Sequence, residues 1–233
     1  MKLHHKFALL IFAPALLTPM SSAATVIIDG TAPGYTNNGS FETTTGWQGN
    51  ETTVTNLGTN LGITRNVQYR TANGTPTDGI TYAVIGQNTA SATGVMGIFL
   101  NTGYDLVLGD TFNLSFWHGS HSAASSGLSI NWQLFTSTTG TETGVVQDVV
   151  AFGFVSGSAT NVQEIQAGIG SVTGASAGKR LFLSFTPSGS NGQFAMLDEI
   201  NLTVIPEPSS AGLLGLAGTC LLLRRRRASL VPE

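Results

Sequence analysis

TFNLSFWH, residues 111–118, decides how the chain is read. Phe112, Leu114 and Phe116 recur at every second position, and Asn113, Ser115 and Trp117 lie between them. Successive side chains of a strand point to opposite faces, so this spacing predicts a strand with one apolar and one polar face. A surface helix needs apolar residues three and four apart, and no segment between residues 25 and 205 sustains that beyond two turns.

Outward from this stretch the same period returns, interrupted by clusters of Gly, Asn, Thr and Ser. Strands are expected over 26–29, 52–56, 66–70, 81–85, 94–100, 111–118, 129–135, 145–154, 180–186 and 195–204. Ten strands of this kind predict an all-β chain folded as a two-sheet antiparallel β-sandwich. Asn73-Gly74 and Asn191-Gly192 are turn signals. Residues 161–171 fit one or two helical turns by Val162, Ile165 and Ile169, but their glycines argue for a strand or loop.

Charge is unevenly placed. The stretch 25–205 holds four bases, Arg65, Arg70, Lys179 and Arg180, against eleven acids, a net charge of −7. So acidic a body has no electrostatic footprint for nucleic acid. The only cysteine, Cys220, lies beyond it, so the body has no disulfide and no thiol chemistry.

Both ends read as addresses. Lys2 and Lys6 precede an apolar run of 11 residues, 7–17, too short to span a bilayer, and Ser22-Ala23-Ala24 supplies small residues before a cleavage point. Residues 1–24 are therefore expected to be a signal peptide, with a β-sandwich domain over 25–204. At the other end Pro206, Glu207 and Pro208 stop any strand. An apolar run of 13 residues, 211–223, follows, then Arg224, Arg225, Arg226 and Arg227. The arginines can snorkel to headgroups and, by the positive-inside rule, face the cytoplasm. Both ends are thus expected to place the body outside, with a short C-terminal membrane helix.

The tail 205–233 resembles the PEP-CTERM sorting signal of surface proteins from Gram-negative bacteria that make exopolysaccharide. Motif, apolar helix and basic run occur in that order at the chain's end, although six residues follow the arginines. The resemblance implies processing by an exosortase and a cell-surface or matrix location after transient anchoring in the inner membrane.

A second resemblance covers the body. NNGSFETTTGW at 37–47, GYDLVLGDTFNLSFW at 103–117 and LFLSFTPSGSNGQFAMLDEINLT at 181–203 are similar, in the same order, to segments of galactose-binding-like jelly rolls, the fold of many carbohydrate-binding modules. It implies a jelly roll. It also implies a structural Ca²⁺ joining the first and last strands, held by Glu42 after Ser40-Phe41 and by Asp198.

Aromatic side chains are the usual platforms for sugar rings. Trp117 shares the polar face of its strand with Asn113, which makes the pair a candidate ligand platform; the alternative is packing of Trp117 under a loop. Tyr69 and Tyr82 are candidate partners, with plain surface or core as their other reading. Trp132 alternates in step with Ile130 and Leu134 and is expected in the core; Trp47 after Gly46 is expected to be structural. Asp198 is in phase with Ile200, Leu202 and Val204, so its carboxylate is expected to point inward and to need a partner, from Arg65, Arg70, Lys179, Arg180 or calcium; the alternative is a solvated strand end. His118 and His121 are expected to be surface loop residues.

No nucleophile elbow, zinc-protease helix or phosphate loop is present. The expectation is an exported, non-catalytic protein that binds or embeds in extracellular polysaccharide. The alternatives are a structural matrix protein without a specific ligand and, after it, a glycoside hydrolase with paired carboxylates.

Overall fold

The computed structural model describes residues 23–31, 36–50, 61–72, 74–88, 94–121, 128–137, 146–188 and 193–207. Residues 1–22, which hold most of the expected signal peptide, and the tail from Pro208 onward lie outside them, as do the strand expected at 52–56 and the turn at 191–192. No helix among the described residues is long and apolar enough to cross a membrane.

The described residues of the body form eleven strands: β1 Thr25–Ile28, β2 Gln68–Arg70, β3 Tyr82–Asn88, β4 Gly94–Met96, β5 Ile98–Asp105, β6 Thr111–Ser120, β7 Ser129–Ser137, β8 Val146–Val155, β9 Val162–Ile169, β10 Arg180–Ser188 and β11 Gln193–Ile205. All pair antiparallel in two sheets. A seven-stranded sheet runs β2-β3-β11-β6-β9, with β1 added to β11 and β4 to β3; a four-stranded sheet runs β5-β10-β7-β8. Counting β3 and then β5 to β11 as eight strands, one sheet holds the first, eighth, third and sixth. The other holds the second, seventh, fourth and fifth, which is a jelly roll.

The alternation read at 111–118 holds: Phe112, Leu114 and Phe116 are fully buried between the sheets. Ile130, Trp132 and Leu134 from β7 and Leu181, Leu183 and Phe185 from β10 meet them there. Trp132 is thus a core residue. Two smaller apolar clusters sit outside the sandwich. Leu61 and Ile63 cover Phe99, Phe135 and Phe182 on the four-stranded sheet. Tyr82, Val84, Met96, Met196 and Phe194 cluster on the outer face of the seven-stranded one.

The single strand expected over 94–100 is two strands in different sheets, since β4 pairs with β3 and β5 with β10. The break is Gly97. A Cβ there would stand 2.8 Å from both the Phe185 carbonyl oxygen and Ile63 Cγ1, so only glycine lets the chain cross between sheets at this point. Residues 161–171, left open between helix and strand, supply β9.

The stretch 37–47 is not a strand but a folded loop that ties others together. The Asn37 side-chain amide donates to the Ile27 and Thr102 carbonyls, and that of Asn38 to the Thr43 and Thr45 carbonyls. Trp47 is buried and donates its indole N–H to the Asn38 carbonyl at 3.0 Å, the structural role expected of it. Phe41 takes φ = 60°, a conformation unfavourable for a bulky residue, and is held there by packing against Trp47 and Tyr69.

Candidate functional site

The four residues expected to contact a ligand do not share a surface. Trp117 and Asn113 lie on the outer face of β6, and Trp117 is half-buried. The Asn113 side chain is engaged, its Oδ1 accepting the Gly168 N–H at 2.8 Å. Tyr69 is on the inner side of the same sheet, against Phe41, and burial pushes its phenol up to about 12. Tyr82 is fully buried in the outer cluster, where its hydroxyl donates to the Ala72 carbonyl. Both tyrosines are packing residues, so the expected platform reduces to Trp117.

Asp198 corrects the phase argument. It is fully buried, but it points to the outer face, opposite Trp117. Glu199 takes φ = 44° at a register shift in β11, so one extra residue is inserted and both Leu197 and Ile200 face the core. Among the described residues no cationic side chain lies within ion-pair distance of the Asp198 carboxylate. Its Oδ2 accepts the Thr77 N–H at 2.7 Å, the Thr77 hydroxyl at 3.0 Å and the Asp78 N–H at 3.2 Å; its Oδ1 accepts the Glu199 N–H at 2.9 Å. Burial pushes the carboxyl up to about 6 despite these bonds, which favour the charged form.

Glu42 reaches the same loop from its other end, Oε1 accepting the Ile80 and Thr81 N–H groups at 2.9 and 2.8 Å. The two carboxylates named for calcium therefore do converge on one segment, Thr77 to Thr81. What they meet there are backbone N–H donors and, of oxygens, the Thr77 hydroxyl, so an ion would have to displace the N–H groups. No group of three His, Cys, Asp or Glu suited to a metal gathers among the described residues.

His118 is not a surface loop residue, whereas His121 lies in a bend at the end of β6 and is partly exposed. His118 is buried in β6, facing inward opposite Leu197, with Nε2 3.3 Å from Glu164 Oε1. His121 just follows β6 and lies on the outer side against Tyr82 and Phe194. Strand alternation carries the first inward, which a reading of WHGSH as a glycine-rich loop misses.

The surface that collects exposed apolar side chains is elsewhere, on the outer face of the four-stranded sheet. Leu61 and Ile63 seal the part over Phe99, Phe135 and Phe182. The part over β7 and β8 is open. There Phe152 is 78% and Phe154 57% exposed. In register beside them stand Gln133, opposite Phe152, and Asn131, opposite Phe154. A cavity of about 410 Å³ lies over this shelf, lined by Leu61, Asn131, Gln133, Val149, Phe152 and Thr186. A second, also about 410 Å³, opens between β8 and β9, where Gln166 and Ile169 face Val150 and Ala151. Trp132 borders both, and its indole N–H is buried without a partner among the described residues. Sequence reasoning missed this shelf. Its signal was AFGFV at 151–155, two phenylalanines at period two around a glycine.

No family model and no curated protein matches the chain. Solved structures do match in fold. A Stig cyclase, Fisc, from Fischerella sp. TAU, in complex with (3Z)-3-(1-methyl-2-pyrrolidinylidene)-3H-indole, aligns at TM-score 0.53 and 15% identity, over 79% of this chain and 99% of that one. An apo cyclase from Fischerella sp. aligns at 0.51 and 15%, over 79% and 97%. The CBM22-1 xylan-binding domain of Paenibacillus barcinonensis Xyn10C aligns at 0.48 and 17%, over 80% and 98%. At such identities the likeness to the cyclases establishes the fold and nothing about activity.

Proposed function

We propose that this chain is an exported, non-catalytic protein that binds extracellular polysaccharide on the open half of its four-stranded sheet. The observation that carries the reading is the exposure of Phe152 and Phe154, side by side on one face. Residues two apart on a strand are about 6.7 Å apart, the length scale of one sugar unit. Each ring offers an apolar surface to the C–H face of a sugar, while Asn131, Gln133 and Thr186 offer donors and acceptors to its hydroxyls. Exposed aromatic side chains in a concave, polar-rimmed surface favour binding over a purely structural role.

The location belongs to the same proposal. The terminal segments support export, an exosortase-type processing enzyme as partner, passing anchorage in the inner membrane and a final place at the cell surface or in the matrix. Calcium is a further part of it: Glu42 and Asp198 would hold the ion, in exchange for the loop N–H groups they now accept, and it would join the 37–47 loop to β11. Chelation of the calcium-loaded chain should then lower its thermal midpoint; an unchanged midpoint leaves both carboxylates to the amides alone.

The test of binding is affinity electrophoresis of the full chain, in mild detergent, through gels cast with neutral polysaccharides and with the producing cell's own matrix glycan. The expected result is retardation by at least one glycan, lost in Phe152→Ala/Phe154→Ala. No retardation by any of them makes the chain a structural matrix protein instead.

A further inference from the structure

The outer face of the seven-stranded sheet carries a separate cavity of about 270 Å³. Its floor is apolar, formed by Val84, Met96 and Phe194, and its polar rim is Arg65, Gln68, Arg70 and His121. The body has four bases in all. Two are neutralised: Lys179 lies 2.6 Å from Asp148 and Arg180 2.6 Å from Asp105. Among the described residues no carboxylate lies within ion-pair distance of Arg65 or Arg70; Arg70 Nη2 donates only to Gln68 Oε1, at 3.1 Å. Among the described residues, the two guanidinium groups without an ion-pair partner thus line one small cavity.

His121 is oriented there by a bond that settles its tautomer. The Tyr82 hydroxyl spends its single proton on the Ala72 carbonyl at 2.5 Å, so it accepts from His121 Nδ1–H at 2.9 Å. Neutral His121 therefore keeps Nε2 as an acceptor. Burial and the nearby Arg70 charge both lower its tendency to take a second proton.

We propose that this cavity binds a carboxylated sugar, a uronate residue of an acidic polysaccharide. Guanidinium forks match the planar carboxylate. The floor of Val84, Met96 and Phe194 takes the apolar face of the sugar ring, and Gln68 and neutral His121 take its hydroxyls. A bare inorganic anion would use the arginines and leave the floor idle. The cavity is on the opposite sheet from the Phe152 shelf and is independent of it, so either reading can fail alone.

The experiment is affinity electrophoresis of the full chain through gels containing polygalacturonate, its fully methyl-esterified form or dextran. The body's net charge of −7 repels a polyanion, and the arginine variants leave the basic run 224–227 of the full chain intact, so retention lost in those variants reports the cavity. The expected result is retardation by polygalacturonate alone, weakened at least about tenfold in Arg65→Gln/Arg70→Gln, and unchanged in Phe152→Ala/Phe154→Ala. Galacturonate should compete and inorganic sulfate at the same concentration should not. Should the double variant fail to fold, Arg70→Gln serves, because Arg70 is exposed at a strand end. The proposal is overturned by no retardation, by equal retardation in the ester gel, by indifference to the arginine variants, or by sulfate competing as well as galacturonate.

Discussion

Asp198 accepts the Thr77 amide at 2.7 Å on the outer face of the seven-stranded sheet, across the β11–β6 pair from Trp117. A buried carboxylate is thus held by donors of one loop and the Glu199 N–H, with no counter-charge among the described residues. The folded chain keeps the Asp198 proton up to about pH 6, whereas the ordinary value is 3.8. Between these values the folded state binds more protons than the unfolded one, so this group's contribution falls as pH rises from about 4 to 6. The loss amounts to about 3 kcal/mol, complete by pH 7. Denaturant melts at pH 4 and pH 7 on the wild type and Asp198→Asn isolate it. The wild type should lose more stability than the variant over that interval, and equal losses would sink the assignment.

Glu42 should act on the other end of the loop alone. Glu42→Ala removes the acceptor of the Ile80 and Thr81 N–H groups and should cost about 1–3 kcal/mol. Amide exchange checks the mechanism. Ile80 and Thr81 should lose protection while Thr77, still bonded to Asp198, keeps it. Uniform loss across the loop would mean that the two clasps are not separate.

Gly153 leaves room for the Trp132 indole. A Cβ at Gly153 would stand 2.4 Å from Trp132 Cζ2, and Trp132 is packed in the core. Gly153→Ala should destabilise by about 1–3 kcal/mol through overpacking. Trp132→Phe alone should also destabilise, but the double variant should be more stable than the sum of the two predicts, because the smaller ring relieves the overlap. Additive effects in urea melts would contradict the contact.

Removing the exposed rings should separate stability from binding. Phe152→Ala and Phe154→Ala should each change stability by no more than about 0.5 kcal/mol, since both side chains are already in water. Trp117→Ala should cost more, because that ring is half-buried beside Asp198, and should leave glycan retardation intact. Retardation lost on Trp117→Ala and kept in the phenylalanine variants would move the site to the other sheet.

Much of the fold was legible because alternation is a local property. Each strand's own residues show it, so β1 to β3, β6 to β8, β10 and β11 were placed within a few residues, and Trp132 and Trp47 were read as core and structural. What went wrong went wrong at irregular points. One extra residue at Glu199 reversed the phase of Asp198, and period-two counting has no means of seeing a bulge. Gly97 divided one apparent strand between two sheets for want of room beside Phe185. His118 was judged by its glycine and serine neighbours, when the strand simply continues through them to Ser120.

The candidate sites were less legible, for a related reason. Trp117 and Phe152 both alternate away from the core, and nothing in either strand says which outer face another segment will cover. Leu61 and Ile63 cover part of the four-stranded sheet and stop short of Phe152 and Phe154. The loop at Thr77 covers Asp198 beside Trp117. Arg65 and Arg70 meet His121 only because β4 and the end of β6 come to the same face. By itself the sequence determined the strand content, the sandwich and the acidic body, because period and composition are carried by neighbouring residues. The tertiary structure alone decided which aromatic rings and which cations stay uncovered, because that depends on contacts between segments far apart in the chain.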